Sequence, residues 1–304
     1  MAVQTVKVTI DGQVHNLSYN SQSGKWEAVI TAPNKTSYHE QNHKFDVTVT
    51  ASDQAGNVTT KNRTDSVLGS DLQLRVLEKD KPIISLTSPS SGARITNASP
   101  NIVFHVRDSS SGIDISTLQL KIDAGTAKTN TSSGMSCTSV TGGYNCTYTP
   151  SALSEGAHTI TISVKDNDGN LSNLLSSTFT VDTAPPMLNI TNPSEGLITN
   201  SENLTVSGTT NDVTSSPVTI SIKLNGVNQG AVNVSGGNFS KSIVLNKQGN
   251  NVIEVIAKDT AGLQTKITRN IVFDTIAPTI STVTVSPNPV DEGKTFTITV
   301  TVSD

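Results

Sequence analysis

Two short runs gather hard oxygen donors within a few residues. Asp53-Gln-Ala-Gly-Asn57 and Asp166-Asn-Asp168-Gly-Asn170 each place carboxylates and amides within one turn. Those donor types suit Ca2+. The second run resembles the opening of a calcium loop, but that loop closes with a bidentate Glu at its twelfth position, where this chain has Ser177. Gly and Asn in such runs also serve a plain hairpin turn. Turn chemistry alone accounts for Asp53, Asn57, Asp166, Asp168 and Asn170. The matching run Asp259-Thr-Ala-Gly262 is poorer still in ligands.

The cysteines Cys137 and Cys146 are the chain's only two. The residues between them read as a hairpin centred on Thr141-Gly142. A two-residue loop there sets Cys137 opposite Cys146, so a cross-strand disulfide is sterically allowed. A protein assembled in a cytoplasm keeps such thiols reduced, and the residues leave both states open. With no second Cys or His pair alongside, the spacing is not that of a zinc site. The five histidines form no Ser/His/Asp order. His39 and His43 fall in a polar loop, and His105 in a strand. Trp26 aligns with Tyr144 and Phe239 in the repeats described next, which places it in a core rather than on a sugar-stacking platform. Without a paired carboxylate cleft or a phosphate-cradling loop, the chain reads as non-enzymatic.

The elements that carry these turns repeat. Thr5 to Asn57, Leu118 to Asn170 and Thr219 to Gly262 align as strand, Gly-x-aromatic, strand, Asp-turn. A period near about one hundred residues means tandem domains rather than a solenoid of short repeats. Alternation is clear in Val47, Val49 and Ala51, in Ile160, Ile162 and Val164, and in Ile220, Ile222 and Leu224, and period two marks half-buried strands. Ser, Thr and Asn supply 107 of 304 residues, whereas aromatics supply 4%. The cores are therefore thin and aliphatic, as in a sandwich of two sheets. The fold class is all-β, with tandem immunoglobulin-like sandwiches in an elongated rod.

Near-identical boundaries, Val181-Asp-Thr-Ala-Pro-Pro186 and Phe273-Asp-Thr-Ile-Ala-Pro278, join Val76-Leu-Glu-Lys-Asp-Lys-Pro82 in marking stiff joints. They divide the chain into residues 1–81, an incomplete domain with strands C to G; 82–183 and 184–277, complete domains; and 278–304, strands A and B alone. Two strands are marginal in water. Residues 278–304 are therefore expected to complete a sandwich by strand addition, on other copies of the chain or on other proteins.

A formal charge of −4 and a pI of about 5.7 argue against nucleic acid as a partner. No apolar stretch approaches the length of a membrane span, so membrane insertion is not expected. The start at Met1 reads as a strand without the apolar core of a signal peptide.

The Asp-x-Ala-Gly-Asn turn from Asp53 to Asn57, the Asp-Thr-x-x-Pro boundaries and the run Val285-Ser-Pro-Asn-Pro-Val-Asp291 resemble bacterial Ig-like (Big-type) repeats. In combination they look most like the Ig-like structural proteins of phages or prophages of Gram-positive hosts. The resemblance implies a structural or decorating protein of the virion, associated with the phage tail and assembled in the host cytoplasm, with other virion proteins as partners and weak adhesion to host cell-surface glycans. It transfers no catalytic residue and no cofactor. The alternative is an adhesin, a carbohydrate- or protein-binding module of a bacterial surface protein.

Overall fold

The computed structural model describes residues 2–304. Met1, where the reading of the N-terminus starts, lies outside the described residues. The chain divides into two compact units, Met1–Val181 and Asp182–Asp304, and the described residues hold no α-helix.

The first unit opens with six strands: β1 (Val3–Ile10), β2 (Gln13–Asn20), β3 (Lys25–Glu27), β4 (Phe45–Asp53), β5 (Val58–Lys61) and β6 (Gln73–Leu74). They form one sheet, ordered β3-β2-β1-β4-β5, with β6 added on β4. In strand letters β1 is C, β4 is F and β5 is G. The segment at Lys25–Glu27, which the repeat alignment makes the E strand, pairs instead with β2 of the same sheet. An E strand crosses to the opposite sheet to pair with B, and the described residues of this region include no B strand for it to join. Trp26 is therefore not a core residue: it is half-buried at the sheet's edge, with its ring 5.8 Å from that of Tyr19. Val47, Val49 and Ala51 are likewise only half-buried, since no second sheet covers them. Val6, Val8 and Phe45 are the buried apolar residues of this region.

A sandwich follows within the same unit: β7 (Ile83–Ser88), β8 (Ala93–Ile95), β9 (Ile102–Arg107), β10 (Ile113–Ile122), β11 (Met135–Val140), β12 (Gly143–Tyr148), β13 (Gly156–Asp166) and β14 (Leu175–Val181). One sheet runs β11-β12-β9-β7, the other β10-β13-β14-β8. Alternate residues fill the space between them, among them Ile102, Phe104, Leu118, Ile160 and Phe179.

The second unit repeats the plan with β15 (Met187–Asn192), β16 (Ile198–Thr199), β17 (Asn203–Asn211), β18 (Thr219–Leu224), β19 (Val227–Asn228), β20 (Val234–Ser235), β21 (Asn238–Val244), β22 (Gly249–Lys258) and β23 (Gln264–Phe273). Its sheets run β15-β17-β21-β20 and β16-β23-β22-β18-β19, around Val206, Ile222, Phe239, Ile253 and Val255. Here β21 does pair with β17, from Asn203↔Val244 to Thr209↔Asn238, as E does with B. Gly208 sits opposite Phe239 in that ladder. A Cβ at Gly208 would lie 2.1 Å from the Asn189 carbonyl oxygen and 2.7 Å from the Phe239 ring, so the aromatic ring occupies the space a side chain would need. The chain closes with a hairpin, β24 (Thr279–Ser286) and β25 (Thr297–Ser303), every residue of which is exposed.

Candidate functional site

Acidic side chains gather where the B–C loop and the F–G turn of each sandwich meet. The F–G turn is built the same way three times. Asp53, Asp166 and Asp259 each accept a hydrogen bond at Oδ1 from the backbone N–H four residues on: Asn57 at 2.9 Å, Asn170 at 2.8 Å and Leu263 at 2.9 Å. Glycine one residue earlier takes φ of 86°, 96° and 97°, a region open to Gly without strain.

The fourth residue decides the state of the second carboxylate oxygen. Asn57 and Asn170 each donate their side-chain N–H to Oδ2 of their Asp at 2.8 Å. Leu263 has no donor to offer, and Oδ2 of Asp259 is buried without a partner.

In the first unit Asp166 meets Glu78 and Asp108, with one oxygen of each within 4.8 Å of the others. Asp108 Oδ1 accepts three backbone N–H bonds, from Ser110 (3.0 Å), Ser111 (2.8 Å) and Gly112 (2.9 Å). Glu78 Oε1 accepts from the Ser111 hydroxyl at 3.2 Å and from Asn170 Nδ2 at 3.1 Å. Burial, followed by the hydrogen bond with Asp166, pushes the Glu78 carboxyl above the usual carboxylate range. Asp168 points elsewhere: its Oδ2 accepts the Thr36 hydroxyl at 2.5 Å and the Glu78 backbone N–H at 3.2 Å. It thereby ties the loop after β3 to the sandwich. His39 adds a second tie, its Nε2 lying 2.8 Å from the Ser110 carbonyl oxygen.

In the second unit Asp259 meets Asp182 and Asp212, again within 4.8 Å. Asp212 Oδ1 accepts from the backbone of Thr214 (2.8 Å) and Ser215 (2.5 Å), and Asp182 Oδ1 from Ala184 (3.3 Å). Oδ2 of Asp182 and the hydroxyl of Ser215 are buried without partners, as is Oδ2 of Asp259.

The five calcium candidates thus part company. Asp53 and Asn57 form a closed turn. Asp166 and Asn170 form a closed turn that joins a larger cluster, and Asp168 makes an inter-loop contact. Glu78, Asp108, Asp182, Asp212 and Asp259 were not singled out as a group from the sequence. The signal that would have found them is the recurrence of an acid at three equivalent places in both sandwiches: before strand A, after strand B and after strand F.

Cys137 and Cys146 are directly opposed in the β11–β12 ladder and joined by a disulfide, with Cα atoms 4.1 Å apart. Cross-linking so short a loop contributes about 2–3 kcal/mol at most. The remaining histidine of note is His158. Its Nδ1 lies 2.7 Å from Asp123 Oδ2 and its Nε2 2.9 Å from the Ser154 carbonyl oxygen, so both ring nitrogens are engaged in tying β13 to neighbouring loops.

Residues 82–162 match the bacterial Ig domain family, and residues 186–275 match domain B of glucodextranase. A stretch of 122 residues is 34% identical to bacillopeptidase F of Bacillus subtilis (strain 168); it covers 40% of this chain and only 8% of that protein's length. Among solved structures, the fibronectin(III)-like modules of Clostridium thermocellum CbhA align over 63% of this chain and 94% of theirs, with 18% identity and a TM-score of 0.36. Sidekick-1 immunoglobulin domains 1–5 align over 99% of this chain and 60% of theirs, with 12% identity and a TM-score of 0.41. The chain carries tandem Ig-like β-sandwiches, and the matched stretches support a Big-type Ig repeat protein.

Proposed function

We propose that this chain is a non-enzymatic structural protein whose Ig-like sandwiches are building blocks of a larger assembly, joined by strand completion. One comparison carries the reading. In β17 the inward residues Leu204 and Val206 are 8% and 0% exposed. Aligned on the Asp that follows each strand (Asp212 and Asp304), their counterparts Phe296 and Ile298 are 50% and 57% exposed. The β24–β25 hairpin pairs Thr279 with Ser303 and slips register between Ile280 and Thr282. The A–B pair β15–β17 does the same between Ile190 and Asn192. The hairpin has the form of an A–B pair with nothing over its apolar face. The occupant we assign is the sheet that carries β1 and β4 in a second copy, where Val47, Val49 and Ala51 are only half-buried and no second sheet of the described residues lies over them. Another protein of the same assembly is the alternative occupant.

The test is light scattering on the full chain and on a variant lacking residues 278–304, with hydrogen exchange followed through β1 and β4. The expected result is an oligomer that dissociates on deletion, with protection lost from β1 and β4. A monomeric full chain whose β1 and β4 keep their protection after deletion overturns the proposal.

A tail-associated place in a phage virion, with weak adhesion to host-surface glycans, is the setting that the boundary and turn motifs support. A second setting, the bacterial surface or an accessory module beside an enzyme, is supported by the matches to bacillopeptidase F and glucodextranase domain B. The Cys137–Cys146 disulfide also favours it, since such bonds persist outside the cytoplasm. Thiol titration of the protein from its native source separates the two. Free thiols support cytoplasmic assembly, and an intact bridge supports export.

A further inference from the structure

We propose that Asp182, Asp212 and Asp259 form a Ca2+ site in the second unit, and that Leu263 is the residue that leaves it open. Three observations converge. Carboxylate oxygens from the three residues lie within 4.8 Å of one another. Ca2+ holds oxygens at about 2.4 Å, so ligands of one ion are at most about 4.8 Å apart. Second, Asp182 and Asp259 are 0% and 5% exposed, yet Oδ2 of each has no hydrogen-bond partner. A buried ionised oxygen left unpaired is strongly unfavourable, and folded proteins pair such groups or place a cation against them. Third, the hydroxyl of Ser215, 0% exposed and on the same loop as Asp212, is also unpartnered.

The loops are already fixed in place. The backbone N–H and hydroxyl of Thr260 both donate to the Ser215 carbonyl oxygen, at 3.1 and 3.0 Å, which locks the F–G turn to the B–C loop. The donor set is all oxygen and rich in carboxylate, the chemistry of a hard divalent cation. Up to six carboxylate oxygens leave the remaining positions to water, an arrangement Ca2+ tolerates better than Mg2+ does.

The first unit explains why this site is singular. There Asn170 Nδ2 reaches both Asp166 Oδ2 (2.8 Å) and Glu78 Oε1 (3.1 Å), so an amide N–H sits where a cation would, and none of that cluster's carboxylate oxygens is buried without a partner. The acid that precedes strand A returns as Asp274, and the one that follows strand B as Asp304, so two of the three ligand positions recur further along the chain.

The full chain, stripped with chelator, is titrated calorimetrically with CaCl2, with MgCl2 in parallel. Folding of each variant is checked by circular dichroism. The expected result is one Ca2+ per chain, weaker binding of Mg2+, and a thermal midpoint for the second unit that rises with Ca2+. Asp182→Asn should abolish binding. Leu263→Asn is the sharper test. It installs the amide donor that the other two turns carry without loss of fold, and should weaken Ca2+ binding at least tenfold. Glu78→Gln and Asp53→Asn should leave the titration unchanged. The proposal is overturned by no binding at about 1 mM Ca2+, by binding that survives both Asp182→Asn and Leu263→Asn, or by binding lost in Glu78→Gln.

Discussion

Replacing Val255 with Asp should unfold the second unit's sandwich while leaving the first unit intact. Val255 is 0% exposed on β22, paired with Ile222 of β18 on one side and Ile267 of β23 on the other. Losing the valine's burial costs about 1.5–3 kcal/mol. The new carboxyl has no partner within this aliphatic ladder, so at pH 7 it takes up a proton. Carrying a group of ordinary pKa about 3.9 across about three pH units costs about 4 kcal/mol. Burying the neutral acid without a hydrogen bond adds about 1–3 kcal/mol. The sum, about 7–10 kcal/mol, matches or exceeds the stability of many domains of this size, about 5–15 kcal/mol. Scanning calorimetry of the full chain should lose the second unit's transition or shift it down by tens of degrees. Hydrogen exchange should rise throughout β18, β22 and β23 and stay unchanged in β9 and β13, whose core is a separate cluster. Val252→Asp, on the same strand but 38% exposed, should cost under about 1 kcal/mol. Equal losses in the two variants, or an unchanged midpoint for Val255→Asp, would refute the assigned strand phase and the separation of the two cores.

Two further outcomes are expected. Gly208→Ala should destabilise the second unit by about 2–4 kcal/mol in a denaturant melt, because its Cβ meets both the Asn189 carbonyl and the Phe239 ring; an unchanged midpoint would mean that β15 and β17 can move apart freely. The first unit should lose stability as pH rises through neutrality. Burial opposes the charged His158 ring, but the Ser154 carbonyl and then Asp123 outweigh it and raise its pKa above the ordinary 6.5. Its contribution is therefore complete below about pH 6.5 and lost as pH climbs through the raised value. Burial also opposes ionised Asp123, yet the hydrogen bond from His158 outweighs it and lowers its pKa, so that partner fails only in acid. Thermal midpoints between pH 6 and 8 should fall for the native chain and be flat for His158→Gln.

Much of the architecture was legible in the sequence because strands and hairpins are local. Period-two alternation named the inward face of β13 and β18, and Asn, Gly and Asp marked the turns that bound such strands. The Thr141-Gly142 turn by itself set Cys137 opposite Cys146, since a two-residue loop fixes the register of everything that flanks it. Other features were decided only by the tertiary structure. Trp26 has the spacing of Phe239 yet lies at a sheet edge, because a strand's place depends on whether a partner exists, and alternation reports a face without reporting what covers it. The acidic clusters were hidden for a related reason. Asp182, Asp212 and Asp259 lie far apart in the chain and meet only when two sheets close and bring their loops to one end. The turn at Asp259 looked poorest in ligands because composition counts donors. The fold instead decides which oxygens are already satisfied, and one leucine where its counterparts have asparagine leaves that carboxylate unpaired.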